Sequence, residues 1–219
     1  MPGTQRSHAS GRLANHVVAR VGFGAMQLGD RDTAKAVLIR AVELRVNHID
    51  TAEFYGAGVV NKLIRAALHP YPDDLVLVSK VGAEHKAAGL VPAQQPAQLR
   101  AGVEANLRSL DVERLPVVNL RRLDERPGIV ATGDQIVDLD DQLAELIALR
   151  DEGKIGAIGL SQVTVEQLHH AIPPGSCAYR TSTTCWTARP NRCSPPAGRT
   201  GSRSRRSSRS APRSPPHRR

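Results

Sequence analysis

A chain of 219 residues that is 40% hydrophobic but only 3% aromatic has room for one or two domains and must build its core from aliphatic side chains. It carries 30 basic and 21 acidic residues, a net charge of +9, and no apolar run approaches the roughly 18 residues that span a bilayer. Met1 to Leu13 is polar and lacks the apolar stretch of a secretory signal, so a cytoplasmic location is expected rather than a membrane or secreted one.

The first element is a strand through Val17–Phe23 that enters a glycine turn at Gly22 and Gly24. Asp32 to Val46 has the spacing of an amphipathic helix, with Asp32 or Thr33 as its N-cap. Val46 to Asp50 is a short strand, and Val59 to Leu68 a helix that stops before His69-Pro70. Leu75 to Ser79 is almost wholly apolar, as a parallel strand covered on both faces requires. A helix over Gln98–Leu110, a strand over Leu115–Leu120, a helix over Asp140–Arg150 stopped by Gly153, a strand over Ile155–Leu160 and a helix over Thr164–Ala171 complete the series. Five strands alternating with helices indicate repeated βαβ units on a parallel sheet. Periodicity alone leaves two architectures open, a doubly wound sheet and a (β/α)8 barrel of which about five units are present. The dinucleotide fingerprint fails, because Gln27 stands where the third glycine of Gly22-Phe23-Gly24-Ala25-Met26-Gln27 would be needed.

The composition changes at Pro173. Residues 173–219 contain 11 arginines and no Lys, Asp or Glu, together with all three cysteines, the single tryptophan and 8 of the 15 prolines. Residues 1–172 hold 19 basic and 21 acidic residues and no cysteine. The chain therefore divides into an N-terminal segment (1–17), a βα region (18–172) and an Arg/Ser/Pro-rich tail (173–219) that is expected to be disordered. Cys177, Cys185 and Cys193 are eight residues apart without a CxxC pair, and His85, His169 and His170 have no ligand spacing, so no metal site is expected.

The polar residues that fit chemistry all close a strand: Asp50 the second, Lys80 the third, Arg121 the fourth and Ser161 the fifth, with Tyr55 in the loop after Asp50. In a barrel of parallel strands these ends gather on one face, where active sites are built. Each alone reads more simply as a cap, a solvated cation or a packing residue. Five together are harder to explain that way.

The segments Val21-Gly22-Phe23-Gly24-Ala25-Met26, Asn47-His48-Ile49-Asp50-Thr51-Ala52-Glu53-Phe54-Tyr55-Gly56, Leu77-Val78-Ser79-Lys80-Val81-Gly82, Leu107-Arg108-Ser109-Leu110 and Gly153-Lys154-Ile155-Gly156-Ala157-Ile158-Gly159-Leu160-Ser161 resemble the aldo-keto reductases in order and spacing. That resemblance implies a partial (β/α)8 TIM barrel and NADPH bound without a glycine-rich loop. It implies a small-molecule carbonyl substrate, Tyr55 as general acid, and Lys80 and Asp50 tuning it. A free phenol, pKa near 10, is a poor acid at neutral pH, and a neighbouring ammonium corrects that. Asp50, Ser161 and Gln162 would contact the cofactor. The family places a histidine where this chain has Arg121, whose guanidinium still donates to a carbonyl oxygen but stays cationic. Arg121 could instead pair with Asp124. Gln162 replaces the family's asparagine.

The family's three further strands are not recognisable in 173–219. Shifting the reading frame of the tail forces a leucine from Cys185-Trp186 and an aspartate from Trp186-Thr187, and permits segments that resemble the sixth and seventh strands. A frameshift near Pro173–Cys177 is therefore the favoured reading, with impaired or absent activity for the chain as written. The alternatives are a noncatalytic protein whose basic tail binds nucleic acid, and a regulatory subunit on the same fold. Nucleic acid is not the expected partner, and the oligomeric state is open.

Overall fold

In a computed structural model, which describes residues 10–29, 31–126 and 128–171, the apolar runs assemble into one parallel five-stranded sheet. The strands are β3 (Phe23–Gly24), β4 (His48–Asp50), β5 (Val76–Val81), β8 (Leu115–Arg121) and β9 (Ile155–Ser161), side by side in that order. Helices α1 (Arg31–Glu43), α2 (Val59–Leu68), α3 (Pro96–Leu110), α4 (Leu139–Asp151) and α5 (Val165–Ala171) follow the successive strands. Two antiparallel hairpins are added, β1 (Ser10–Leu13) with β2 (His16–Ala19), and β6 (Ala83–Lys86) with β7 (Gly89–Pro92). The five βα units are those expected of a partial (β/α)8 barrel. The expectations for the tail fall on residues 173–219, outside the described residues.

Alternation along the strands sorts the side chains onto two faces. Ile49, Leu77, Val118, Leu120, Ile158 and Leu160 point outward and pack with Leu38, Ile64, Leu99, Val103, Leu146 and Leu149 of the helices. All the largest fully buried side chains are Leu or Ile, as the scarcity of aromatics dictates. The opposite phase, Val76, Val78, Val117 and Ala157, lines the inner face. There it meets Val18, Leu13 and Ala14 from the β1–β2 hairpin, which floors the interior below the strands. Asn47 clips the hairpin in place, accepting from the Ala19 N–H (2.8 Å) and donating to the Val17 carbonyl (3.1 Å).

The strand expected over Val17–Phe23 is thus two elements. Val17 and Val18 belong to the hairpin, and only Phe23–Gly24 joins the sheet. Gly22 serves packing, since a Cβ there would stand 2.0 Å from the His48 imidazole. Helix α1 ends at Glu43 instead of reaching Val46, because Arg45 turns left-handed (φ 65°). The Val46 N–H then returns to the Ala41 carbonyl and the Arg45 N–H to that of Val42, a Schellman motif. Gly153 (φ 82°) ends α4 in the same way, through Lys154 to Leu149, as its glycine signals. Helix α3 starts two residues earlier than its apolar spacing suggests. Pro96 occupies its first position and Gln95 forms a capping box with Gln98. No helix among the described residues is long and apolar enough to cross a membrane.

Arg45 is exposed and occupies a conformation that costs a side-chain-bearing residue roughly 1 kcal/mol. Arg45→Gly is expected to raise the free energy of unfolding by about 0.5–1 kcal/mol in urea denaturation. Tyr71 donates to the Leu110 carbonyl (2.6 Å), and burial pushes its phenol well above the usual range. The unfolded chain ionises near pH 10 while the folded one resists. Stability should therefore hold below about pH 10 and fall as the pH rises further, a decline that Tyr71→Phe flattens in alkaline melts.

Candidate active site

The inner face ends in charge. Asp50 sits opposite Val78 and Lys80 opposite Asn119, so the polar groups climb two residues from Asp50 to Lys80 and two more to Arg121, which stands level with Ser161. Parallel strands with a shear produce that stagger. It lets the Lys80 ammonium reach back to the Asp50 carboxylate, with which it forms an ion pair, and to the Thr51 carbonyl (3.5 Å). The Lys80 side chain is 7% exposed and that of Asp50 22%. An ammonium that dry is tolerable only when paired.

Tyr55 opens a tight turn, Tyr55–Gly58, in which Gly56 (φ 56°), Ala57 (φ 51°) and Gly58 (φ 82°) are all left-handed. A Cβ on Gly58 would also stand 2.5 Å from the Glu53 carboxylate. The turn folds the tyrosine back over the sheet, with the Lys80 Nζ 5.3 Å from the centre of its ring and Phe54 edge-on to it at 5.3 Å. Asp50, Tyr55 and Lys80, expected from sequence to act together, are brought together.

Arg121 and Arg122 go to opposite faces. Arg122 is buried and binds Asp124 through two nitrogens (2.8 and 2.9 Å), the Val137 carbonyl (2.9 Å) and the Gln142 side chain. Burial penalises the Asp124 carboxylate, yet the bonds from Arg122 and Gln167 and the guanidinium charge outweigh it and lower its pKa. Arg121 does not take Asp124. Its Nε donates to the Gln162 side-chain oxygen (3.2 Å), and its guanidinium carbon lies 5.8 Å from the centre of the Phe54 ring. Gln162, left-handed at φ 57°, also donates to the Glu125 carbonyl (3.0 Å), so its amide is engaged at both ends. Ser161 ends β9 on the same face.

Behind the sheet lies a buried polar cluster that the sequence did not announce. Thr51 donates to the Asn61 side-chain oxygen (2.8 Å), and the Asn61 amide nitrogen contacts Glu53 (2.8 Å), Asn106 (2.9 Å) and Ser109 (3.0 Å). Ser79 donates to Asn106, and Ser109 to Glu53. The cluster joins the neighbours of Asp50, Tyr55 and Lys80 to helix α3. Its sequence signal was that Thr51, Glu53, Ser79 and Ser109 lie inside motif segments without an obvious task. Of the inner-face groups, Asn119 was also missed. The fully buried Asn119 has neither side-chain atom hydrogen-bonded, and the His48 Nδ1 is likewise unpaired. Burial lowers the His48 pKa, against the pull of Asp50.

The sheet, its helices and a polar rim at the strands' C-terminal ends define a protein of the (β/α)8-barrel class. The chain belongs to the aldo/keto reductase family, whose match covers residues 20–192 and so runs past Ile172. It is 41% identical over 169 residues to pyridoxine 4-dehydrogenase of Escherichia coli, covering 73% of this chain and 58% of that protein. An aldo-keto reductase structure from Bacillus halodurans superposes with a TM-score of 0.64 at 24% identity, over 74% of this chain and 53% of that one, which speaks to the fold. An aldo/keto reductase from Klebsiella pneumoniae, solved with NADP and acetate, gives 0.56 at 27% identity over 70% and 49%. The chain spans about half the length of the curated relatives it matches.

Removing the hub of the cluster strands several buried polar groups at once. Asn61→Ala is expected to cost about 2–4 kcal/mol in urea unfolding.

Proposed function

We propose that the protein reduces an aldehyde or ketone to the alcohol with NADPH, Tyr55 acting as general acid and Lys80 with Asp50 tuning it. The observation that carries this is the Lys80 ammonium, paired with Asp50 and 5.3 Å from the centre of the Tyr55 ring. As the carbonyl carbon is reduced, its oxygen gains negative charge, and the Tyr55 O–H supplies the proton. The phenolate left behind is stabilised by the ammonium, which Asp50 keeps charged and aimed. Arg121, at the rim, donates to the same carbonyl oxygen and orients it. Such acid catalysis is typically worth 10²–10⁴-fold.

NADPH, when bound, supplies the hydride. The residues present fit such a group. The Asn119 amide is buried on the inner face without a partner, and Ser161 offers a hydroxyl two residues further along the neighbouring strand. Both suit the carboxamide of a nicotinamide ring, with Asp50 and Gln162 completing the contacts. Gln162 would have to exchange one of its present bonds. The NADP held by the Klebsiella pneumoniae relative supports this choice of cofactor.

The name of the Escherichia coli relative makes pyridoxal the first carbonyl to try. Loss of NADPH absorbance should accompany its reduction. Tyr55→Phe and Lys80→Met are each expected to lower kcat/KM by about 10²–10⁴-fold while leaving the fluorescence-detected NADPH complex intact. Equal turnover by the Tyr55→Phe protein would remove the tyrosine from the chemistry.

A further inference from the structure

Two adjacent arginines leave the end of β8, and only one is neutralised. Arg122 is saturated, with a bidentate carboxylate, a backbone carbonyl and a side-chain amide around a buried guanidinium. Arg121, half-buried on the inner face, forms one side-chain hydrogen bond to the neutral Gln162 and has no carboxylate partner among the described residues. The carboxylates near it are committed elsewhere. Asp50 is held by Lys80, and Asp124 by Arg122 and Gln167. Glu125 meets the site only through its carbonyl, on Gln162. Among the described residues the inner rim therefore carries one uncompensated positive charge. Its guanidinium carbon lies 5.8 Å from the centre of the Phe54 ring, and that ring is edge-on to Tyr55, so a single aromatic side chain separates the charge from the tyrosine.

Polarising a neutral carbonyl needs a hydrogen-bond donor, not a permanent cation. A planar guanidinium with free N–H groups suits an oxyanion in bidentate geometry, and partial exclusion of water strengthens the attraction. We propose that Arg121 selects carbonyl substrates bearing an oxyanion, a carboxylate or a phosphate ester, within a few bonds of the reacting carbon. This rests on the reductase reading above and names the substrate class for it. One fork of the guanidinium takes the oxyanion while the carbonyl oxygen stays within reach of Tyr55.

The test compares matched pairs on the full chain. Succinic semialdehyde is set against its methyl ester, and pyridoxal 5′-phosphate against pyridoxal, with kcat/KM measured for each. Wild type should favour at least one anionic member by about ten- to hundredfold. Whichever pair shows the preference identifies carboxylate or phosphate as the group recognised. Arg121→Gln should bring that ratio to within about threefold of one, chiefly through KM, whereas Arg121→Lys, which keeps the charge but loses the fork, should retain part of it. Raising the salt from about 0.1 M to about 1 M, where the Debye length falls from about 10 to 3 Å, should shrink the wild-type ratio. Ratios near one for both pairs in wild type, or a ratio untouched by Arg121→Gln in a protein with wild-type circular dichroism, would overturn the proposal. If no carbonyl is reduced at all, the reductase reading falls. Calorimetric binding of succinic semialdehyde and of pyridoxal 5′-phosphate then decides: binding of either that weakens tenfold or more in Arg121→Gln upholds recognition, and unchanged or absent binding of both ends it.

Discussion

Successive side chains of a strand point to opposite faces, and the candidate site depends on that two-residue period. Val76, Val78 and Lys80 share one face of β5, while Leu77, Ser79 and Val81 share the other. The same phase places Asn119 and Arg121 inside β8, and Gly159 and Ser161 inside β9. A slip of one residue in any of these strands would send its polar terminus into the helices and its hydrocarbon into the interior. The apolar outer core, with Leu77, Val118, Leu120, Ile158 and Leu160 locked against α2, α3 and α4, fixes the register and so holds the chemistry in place.

The polar cluster behind the sheet does complementary work. Packing can fix the height of a strand but not the path of the loop that follows it. Thr51 and Glu53 flank that path, and both are tied to Asn61 at the start of α2. Ser79, immediately before Lys80, is tied through Asn106 to the same amide. Asp50, Lys80 and the Tyr55 turn thus share one anchor. In a low-dielectric interior such a network is favourable only when nearly all of its members are satisfied.

The five βα units and the apolar strands were legible because parallel strands buried on both faces read as apolar runs, and the helices kept their spacing; the order of the strands was not, since periodicity fits two architectures and only the family resemblance pointed to the barrel. Gly153 and the gap before Pro70 marked two helix ends. Arg45 did not mark a third, because its left-handed turn is imposed by the Schellman bonds against the residue's own preference. The β1–β2 hairpin was hidden because Val17, Val18, Val21 and Phe23 lie close enough to read as one strand across the single charge of Arg20, and their separation depends on the distant Asn47. Within the site, the motif positions of Asp50, Tyr55 and Lys80 were readable. The division of labour between Arg121 and Arg122 was not, since it depends on which face each one takes.

The hairpin floor has a further consequence for the inner face. Val18, Leu13 and Ala14 close the interior with hydrocarbon against Val76, Val78 and Val117. At that end hydrocarbon meets hydrocarbon, and a polar molecule finds no partner there. The hydrogen-bonding groups of the inner face stand at the opposite end, around Arg121 and Ser161, so the face is graded from oily to polar along the direction of its strands.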